Sequence, residues 1–338
     1  MNDRSPIGLV KETFQDWAQD KASRLGAALA YYAIFSIGPM LVVVIAIAGK
    51  VFGESAAKGQ ISGTLSKVLG PTNAEFVEAL VKSASQPTVG TLATVIGTAT
   101  LLLGAMGIFN QLKDALNTIW EVEPIPGGGI MTALSKNFLS FGMLLTVGFL
   151  LLISLVVNAL LATLGPVLSD ALPGGALLWN VVNYVVTLAI ISVMFALIFK
   201  FVPDIRVGWK EVLIGGAVTA LLFLLGQVAL GIYLSLGKVG SAFGAAASLV
   251  VVLVWIYYSA QILFLGAEFT QVYANRYGSG MSPARHARFL TQEARAQQGT
   301  KSKQPRKQAA SQDEPGTPGL KASPWFRLSL GRVHAGNL

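Results

Sequence analysis

GAAASLVVVLVWIYYSAQILFLGAEFTQV, residues Gly244–Val272, holds one charged side chain, Glu268, in 29 positions. At about 1.5 Å of rise per residue this is about 43 Å of helix, against a bilayer hydrocarbon layer of about 30 Å. A soluble core helix has no need of that length, so the stretch reads as membrane-spanning. It is not uniformly apolar. Ser248, Trp255, Tyr258, Gln261 and Glu268 share one broad face at about 100° per residue, while Val250, Leu253, Ile256 and Leu263 lie elsewhere. The pattern predicts a lipid-facing side and a second side turned toward other helices.

The rest of the chain agrees in composition. Apolar residues make up 53% of the 338 and charged residues 12%, where a soluble domain carries about 25% charge. Cysteine is absent, which excludes disulfides, thiol catalysis and cysteine-ligated metal. The two histidines, His286 and His334, lie in the polar C-terminal stretch, and no HxH or HExxH pair is present to hold a catalytic zinc. No cofactor and no enzymatic activity are expected. The net charge of +8 is what basic cytoplasmic ends give a membrane protein, and no aromatic-basic motif points to specific nucleic-acid binding.

Read in order, the chain divides into an N-terminal cytoplasmic segment (1–25), a helical membrane domain (26–276) and a basic, disordered cytoplasmic tail (277–338). The first apolar run begins near Leu25, later than in a cleavable signal peptide, so the first span is expected to remain as an anchor. Phe14, Trp17 and Leu25 among Lys11, Lys21 and Arg24 fit either a surface amphipathic helix or a solvated leader. Six spans are predicted, over about 26–51, 91–112, 138–164, 177–201, 212–236 and 244–272. Between the first two, residues 52–90 show helical periodicity broken at Gly70-Pro71, which predicts two short amphipathic helices on the membrane or capping the bundle. In the first span Tyr32, Ser36 and Pro39 recur on one face, with a kink expected at the proline.

With both termini cytoplasmic, 20 of the 25 Lys and Arg fall on the inner side, including the short flanks where the positive-inside rule acts. The fold class is therefore all-α, a multi-pass protein of six transmembrane helices. Its expected partners are the bilayer and anionic lipid headgroups, with a further copy of the same chain left open.

Four stretches together carry a family resemblance: RLGAALAYYAIFSIGPML (24–41), ALNTIWEV (115–122), FKFVPDIRVGWKEVLIGG (199–216) and GAAASLVVVLVWIYYSAQILFLGAEFT (244–270). In this order they resemble the YihY/BrkB-type inner-membrane proteins, some once labelled ribonuclease BN. The resemblance implies a six-span helical protein of the bacterial cytoplasmic membrane, from a family linked loosely to serum resistance and envelope export.

The residues also suggest where any activity would reside. A carboxylate in or near hydrocarbon costs several kcal/mol unless paired or wet. Glu268 is expected at the cytoplasmic edge, closing the inner mouth of the bundle by pairing with a basic residue there; the alternatives are a snorkelling interfacial carboxylate or a structural pair fixing helix register. Lys200 and Arg24 are the favoured partners, and Lys113, Asp204 and Arg206 complete the inner-mouth charges. Tyr31, Tyr32, Ser36, Pro39, Trp255, Tyr257, Tyr258 and Gln261 are candidates for lining a polar cavity; interface anchoring is the alternative for the tyrosines, though their mid-span position suits it less well. Two functions follow: a transporter or exporter of an envelope lipid or amphiphile, and a non-transporting scaffold or envelope-integrity factor. The ribonuclease reading finds no metal ligands or acid–base pair to support it.

Overall fold

The computed structural model describes residues 5–85, 91–125, 175–236, 246–278, 280–291 and 294–295. Eight helices run through them: α1 (Pro6–Gln19), α2 (Ala22–Phe52), α3 (Glu54–Leu69), α4 (Pro71–Ala84), α5 (Thr91–Ile119), α6 (Gly175–Phe201), α7 (Trp209–Leu236) and α8 (Ala247–Tyr277). Four of these contain stretches long and apolar enough to cross a membrane: Ala22–Lys50, Trp179–Phe201, Trp209–Tyr233 and Ala247–Tyr277. The predicted second span forms the first part of α5. The predicted third span, 138–164, lies outside the described residues.

Local chemistry sets the helix ends. Ser5 caps α1 by accepting from the Gly8 N–H at 3.0 Å, and Pro6 occupies the first helical position, where its missing donor is harmless. Gly53 and Gly70 sit at the α2–α3 and α3–α4 junctions with φ of 86° and 83°, a left-handed region that side chains disfavour. Pro71 then opens α4, so the break read from Gly70-Pro71 falls where expected. Pro39 is carried inside α2 rather than ending it, and its ring packs opposite Gly104 of α5.

The bundle has two ends of different character. At one, α3 and α4 pack against α2 and each other, and Leu41, Leu69, Val77, Leu230, Val252 and Trp255 form a buried cluster. At the other end, Leu116, Ile119, Trp120, Phe199, Phe264 and Val212 form the larger core. Between the ends α6 and α7 leave Tyr184, Val185, Leu225, Val228 and Tyr233 exposed, an apolar surface suited to lipid. Since lipid tails are as apolar as leucine, close packing rather than water exclusion must hold such helices together. Gly216 of α7 meets Ser192 and Ala196 backbone on α6, where any side chain would collide.

Helix α1 packs along the C-terminal end of α8, where Arg276 pairs with Glu12 and also donates to the Gly8 carbonyl. Leu9, Thr13 and Asp16 are buried there, whereas Ile7, Val10 and Phe14 stay exposed along the opposite stripe.

The described residues are mostly helical, and two short strand pairs join the helices: β1 (Val122–Pro124) pairs antiparallel with β4 (Ala287–Phe289), and β2 (Ile205–Arg206) with β3 (Ser282–Pro283). For the same reason the disorder predicted from 277 onward does not hold for 280–291. That segment gains ladder hydrogen bonds from two short strands and buries Ala287 and Leu290, with the Leu290 N–H donating to the Glu121 carbonyl at 2.8 Å. Residues 296–338 lie outside the described residues.

Candidate functional site

The end of the bundle where α5, α6 and α8 finish is organised around Asp204, in the turn between α6 and α7. Its side chain is buried. Lys113 Nζ from α5 lies 2.8 Å from Oδ1, and His286 Nε2 lies 2.8 Å from the same oxygen. Asn117, one helical turn beyond Lys113, donates from Nδ2 to Oδ2 at 3.0 Å and accepts the Asp204 N–H on its own Oδ1 at 2.8 Å. The Asp204 carbonyl accepts the Ala284 N–H at 2.9 Å. One residue thus ties α5, the α6–α7 turn and the segment after α8 together.

The electrostatics of this carboxylate follow from its neighbours. Burial, the largest single influence, pushes the Asp204 carboxyl up. The hydrogen bonds from Lys113 and His286, the Lys113 charge and the Asn117 amide together outweigh it and hold the group below its ordinary 3.8. Further ion pairs fasten the same segment: Arg288 to Glu123 at 2.8 Å and Arg295 to Glu121. Glu121 itself holds a left-handed backbone, φ 58°, in the turn leaving α5.

Deeper in the bundle, the predicted polar residues separate into three groups. Ser36 is buried with its Oγ 3.1 Å from where a Cβ on Gly107 would stand, and Tyr32 borders the same glycine. Pro39 faces Gly104, so the Tyr32–Ser36–Pro39 face is the contact of α2 with α5. Gln261 lies over Gly26 and donates to the Ala22 carbonyl at 3.4 Å, while the Tyr258 hydroxyl fills the space that Gly226 of α7 leaves. Trp255 belongs to the buried cluster at the α3–α4 end. Tyr31, by contrast, is 61% exposed, with its ring against Tyr32 and Phe35, and Tyr257 is 36% exposed. Tyr31 faces away from the bundle, and Tyr257 stands at its margin, less exposed than the 46% of Tyr32.

Glu268 is wholly buried. It lies about two turns beyond Gln261 on α8, close in sequence to Gln271, whose side chain donates to the Ile119 carbonyl of α5 at 2.8 Å. Of the basic residues named for the inner mouth, Lys200 directs its ammonium to the Val207 carbonyl and over the Trp209 ring, 5.3 Å from its centre. Lys113 is committed to Asp204, while Arg206 and Arg24 are exposed. Among the described residues no cluster of three or more His, Cys, Asp or Glu is placed to hold a metal ion.

Sequence reasoning missed Asn117, His286 and a paired contact between α7 and α8. There the Thr219 hydroxyl abuts Gly266, and the Thr270 hydroxyl abuts Gly215. Each threonine donates to a carbonyl four residues back in its own helix, at 2.6 Å, and that carbonyl belongs to the glycine facing the other threonine. The i, i+4 Gly–Thr spacing on both helices was the available signal. Asn117 stood inside the ALNTIWEV motif, whereas His286 carried no local signal at all.

Residues 13–291 match the family model described as Virulence factor BrkB. A UPF0761 membrane protein of Pseudomonas aeruginosa strain LESB58 is 30% identical over 255 residues, 73% of this chain and 58% of that protein. One from Mannheimia succiniciproducens is 30% identical over 267 residues, 75% of this chain and 85% of that protein. One from Rhodospirillum centenum is 25% identical over 268 residues, 78% of this chain and 57% of that protein. The chain therefore spans somewhat under two thirds of the length of several of these relatives. No solved structure matches.

Proposed function

Given that the chain belongs to the Virulence factor BrkB family and is an integral membrane protein, we propose that it moves an envelope lipid or amphiphile across the bacterial cytoplasmic membrane. In this reading it has six spans and both termini cytoplasmic, the Asp204 assembly lies at the inner face, and the chain works as a transporter and not as an enzyme. The observation that carries the proposal is the complete burial of Glu268 within an apolar helix bundle. A carboxylate there is costly, and ionisable residues inside membrane helices mark substrate and ion pathways in many transporters. Gln261, two turns away and reaching α2, extends the polar line along α8.

A second reading rests on a separate observation. Ser36, Thr219 and Thr270 all sit on glycines at helix contacts, which suits a scaffold whose polar groups only hold helices together. Purified protein in liposomes separates the two: transport of a labelled amphiphile between leaflets supports the first, and its absence from folded protein the second.

A further inference from the structure

At the α3–α4 end, opposite the Asp204 assembly, α2, α3 and α4 border an open cavity of about 400 Å³, within the range of small-molecule sites. Its lining is of two kinds. Val42, Ile45 and Ala46 of α2 and Val81 of α4 supply an apolar wall, while Lys50, Glu54 and Lys58 supply a charged rim. The α2 part of the wall belongs to a stretch long and apolar enough to cross a membrane, which ends at Lys50, so acyl chains would run alongside it. Glu54 is already neutralised, its Oε1 lying 2.6 Å from Lys58 Nζ, and this lysine is the first cause holding the Glu54 carboxyl below its usual range. Lys50 makes no ion pair among the described residues, which leaves the rim with a net positive charge. Between Ile45 or Ala46 and Lys50 the helix rises about 6 to 8 Å, a separation that suits a phosphate at the lysine and the first methylenes at the wall.

We propose that this cavity binds one anionic phospholipid, its phosphate at Lys50 and the start of its acyl chains along Val42, Ile45 and Ala46. The site is separate from the transport reading and does not require it. Lys50 in the last turn of α2 also complements that helix's dipole, but a dipole end supplies no anion for the ammonium and no occupant for the apolar wall.

Intact-protein mass spectrometry of the full chain, released from micelles holding equal phosphatidylglycerol and phosphatidylcholine, tests this. The wild type is expected to retain one phosphatidylglycerol in preference to phosphatidylcholine. Lys50→Gln should cut that preference about three- to fivefold, the equivalent of one exposed ion pair, and Ala46→Phe, which fills the cavity, should cut retention of both lipids. Each variant is read beside its melting temperature, which for the exposed Lys50 site should match the wild type. Equal retention of the two lipids by the wild type overturns the proposal, as does undiminished phosphatidylglycerol on Lys50→Gln. Displacement of the lipid by soluble glycerol phosphate overturns it too, in favour of a free-anion site. Binding that persists without any lipid movement in liposomes leaves this site standing and removes only the transport reading.

Discussion

Lys113 Nζ stands 2.8 Å from Asp204 Oδ1, both side chains almost withdrawn from solvent, and this pair joins α5 to the turn between α6 and α7. Removing one member of a buried pair strands the other, at a cost of about 3–5 kcal/mol. Asp204→Ala should therefore lower the melting temperature in detergent markedly. Asp204→Asn with Lys113→Met should recover a good part of the loss, because neither charge is then left alone. Additive losses in the double variant would show that the pair is not coupled.

The pH response of this assembly has a defined sign. The folded Asp204 carboxyl lies below its ordinary 3.8, so its contribution is fully present above that value and is lost as pH falls through the lower, folded one. Hydrogen exchange of the 280–291 segment should stay slow from neutral pH down to the ordinary carboxylate range and accelerate only below it. Asp204→Asn should remove that acid-dependent step.

The crossed Gly–Thr contacts between α7 and α8 predict a rescue. A methyl group on Gly215 has no room beside Thr270, nor one on Gly266 beside Thr219. Gly215→Ala should cost about 1–3 kcal/mol by overpacking, measured as unfolding in detergent. Thr270→Ala removes the hydroxyl and methyl but leaves its Cβ 2.8 Å from the new methyl group, so it should restore only part of the loss in the double variant, and Thr219→Ala none of it.

The absence of cysteine makes topology directly measurable. If both termini are cytoplasmic, as proposed, Ser55→Cys at the start of α3 should react with an impermeant maleimide in spheroplasts. Arg285→Cys, exposed in the segment after α8, should react only once the membrane is opened. The reverse pattern would invert the bundle and place the Asp204 assembly outside.

The long helices were legible in the sequence because hydropathy over about 20 residues needs no tertiary information. The α3–α4 junction was equally plain, since Gly70 and Pro71 act locally. What escaped was set by contacts between distant residues. Asp204 meets Asn117 and His286 at separations of 87 and 82 residues, and strands of two or three residues carry no periodicity to read. The 277–338 stretch looked disordered because its average composition hid residues 280–291, which are ordered by what they pair with. Lys200 was favoured for Glu268 on position along the chain alone, and nothing in that position foretold the Val207 carbonyl and Trp209 ring that engage its ammonium. Tyr31 and Tyr32 are adjacent and chemically identical, yet one faces outward and the other borders Gly107. Only the neighbouring helix distinguishes them.

Transport is tested most directly by reconstituting the purified full chain into liposomes that carry a fluorescent phosphatidylglycerol analogue, and following how fast the inner-leaflet label becomes accessible to an external quencher. The wild type should exceed the protein-free rate, and Glu268→Gln, folded to the same melting temperature, should fall back toward it. A wild-type protein that melts as a folded species and yet leaves the label at the protein-free rate would contradict the account and favour the scaffold.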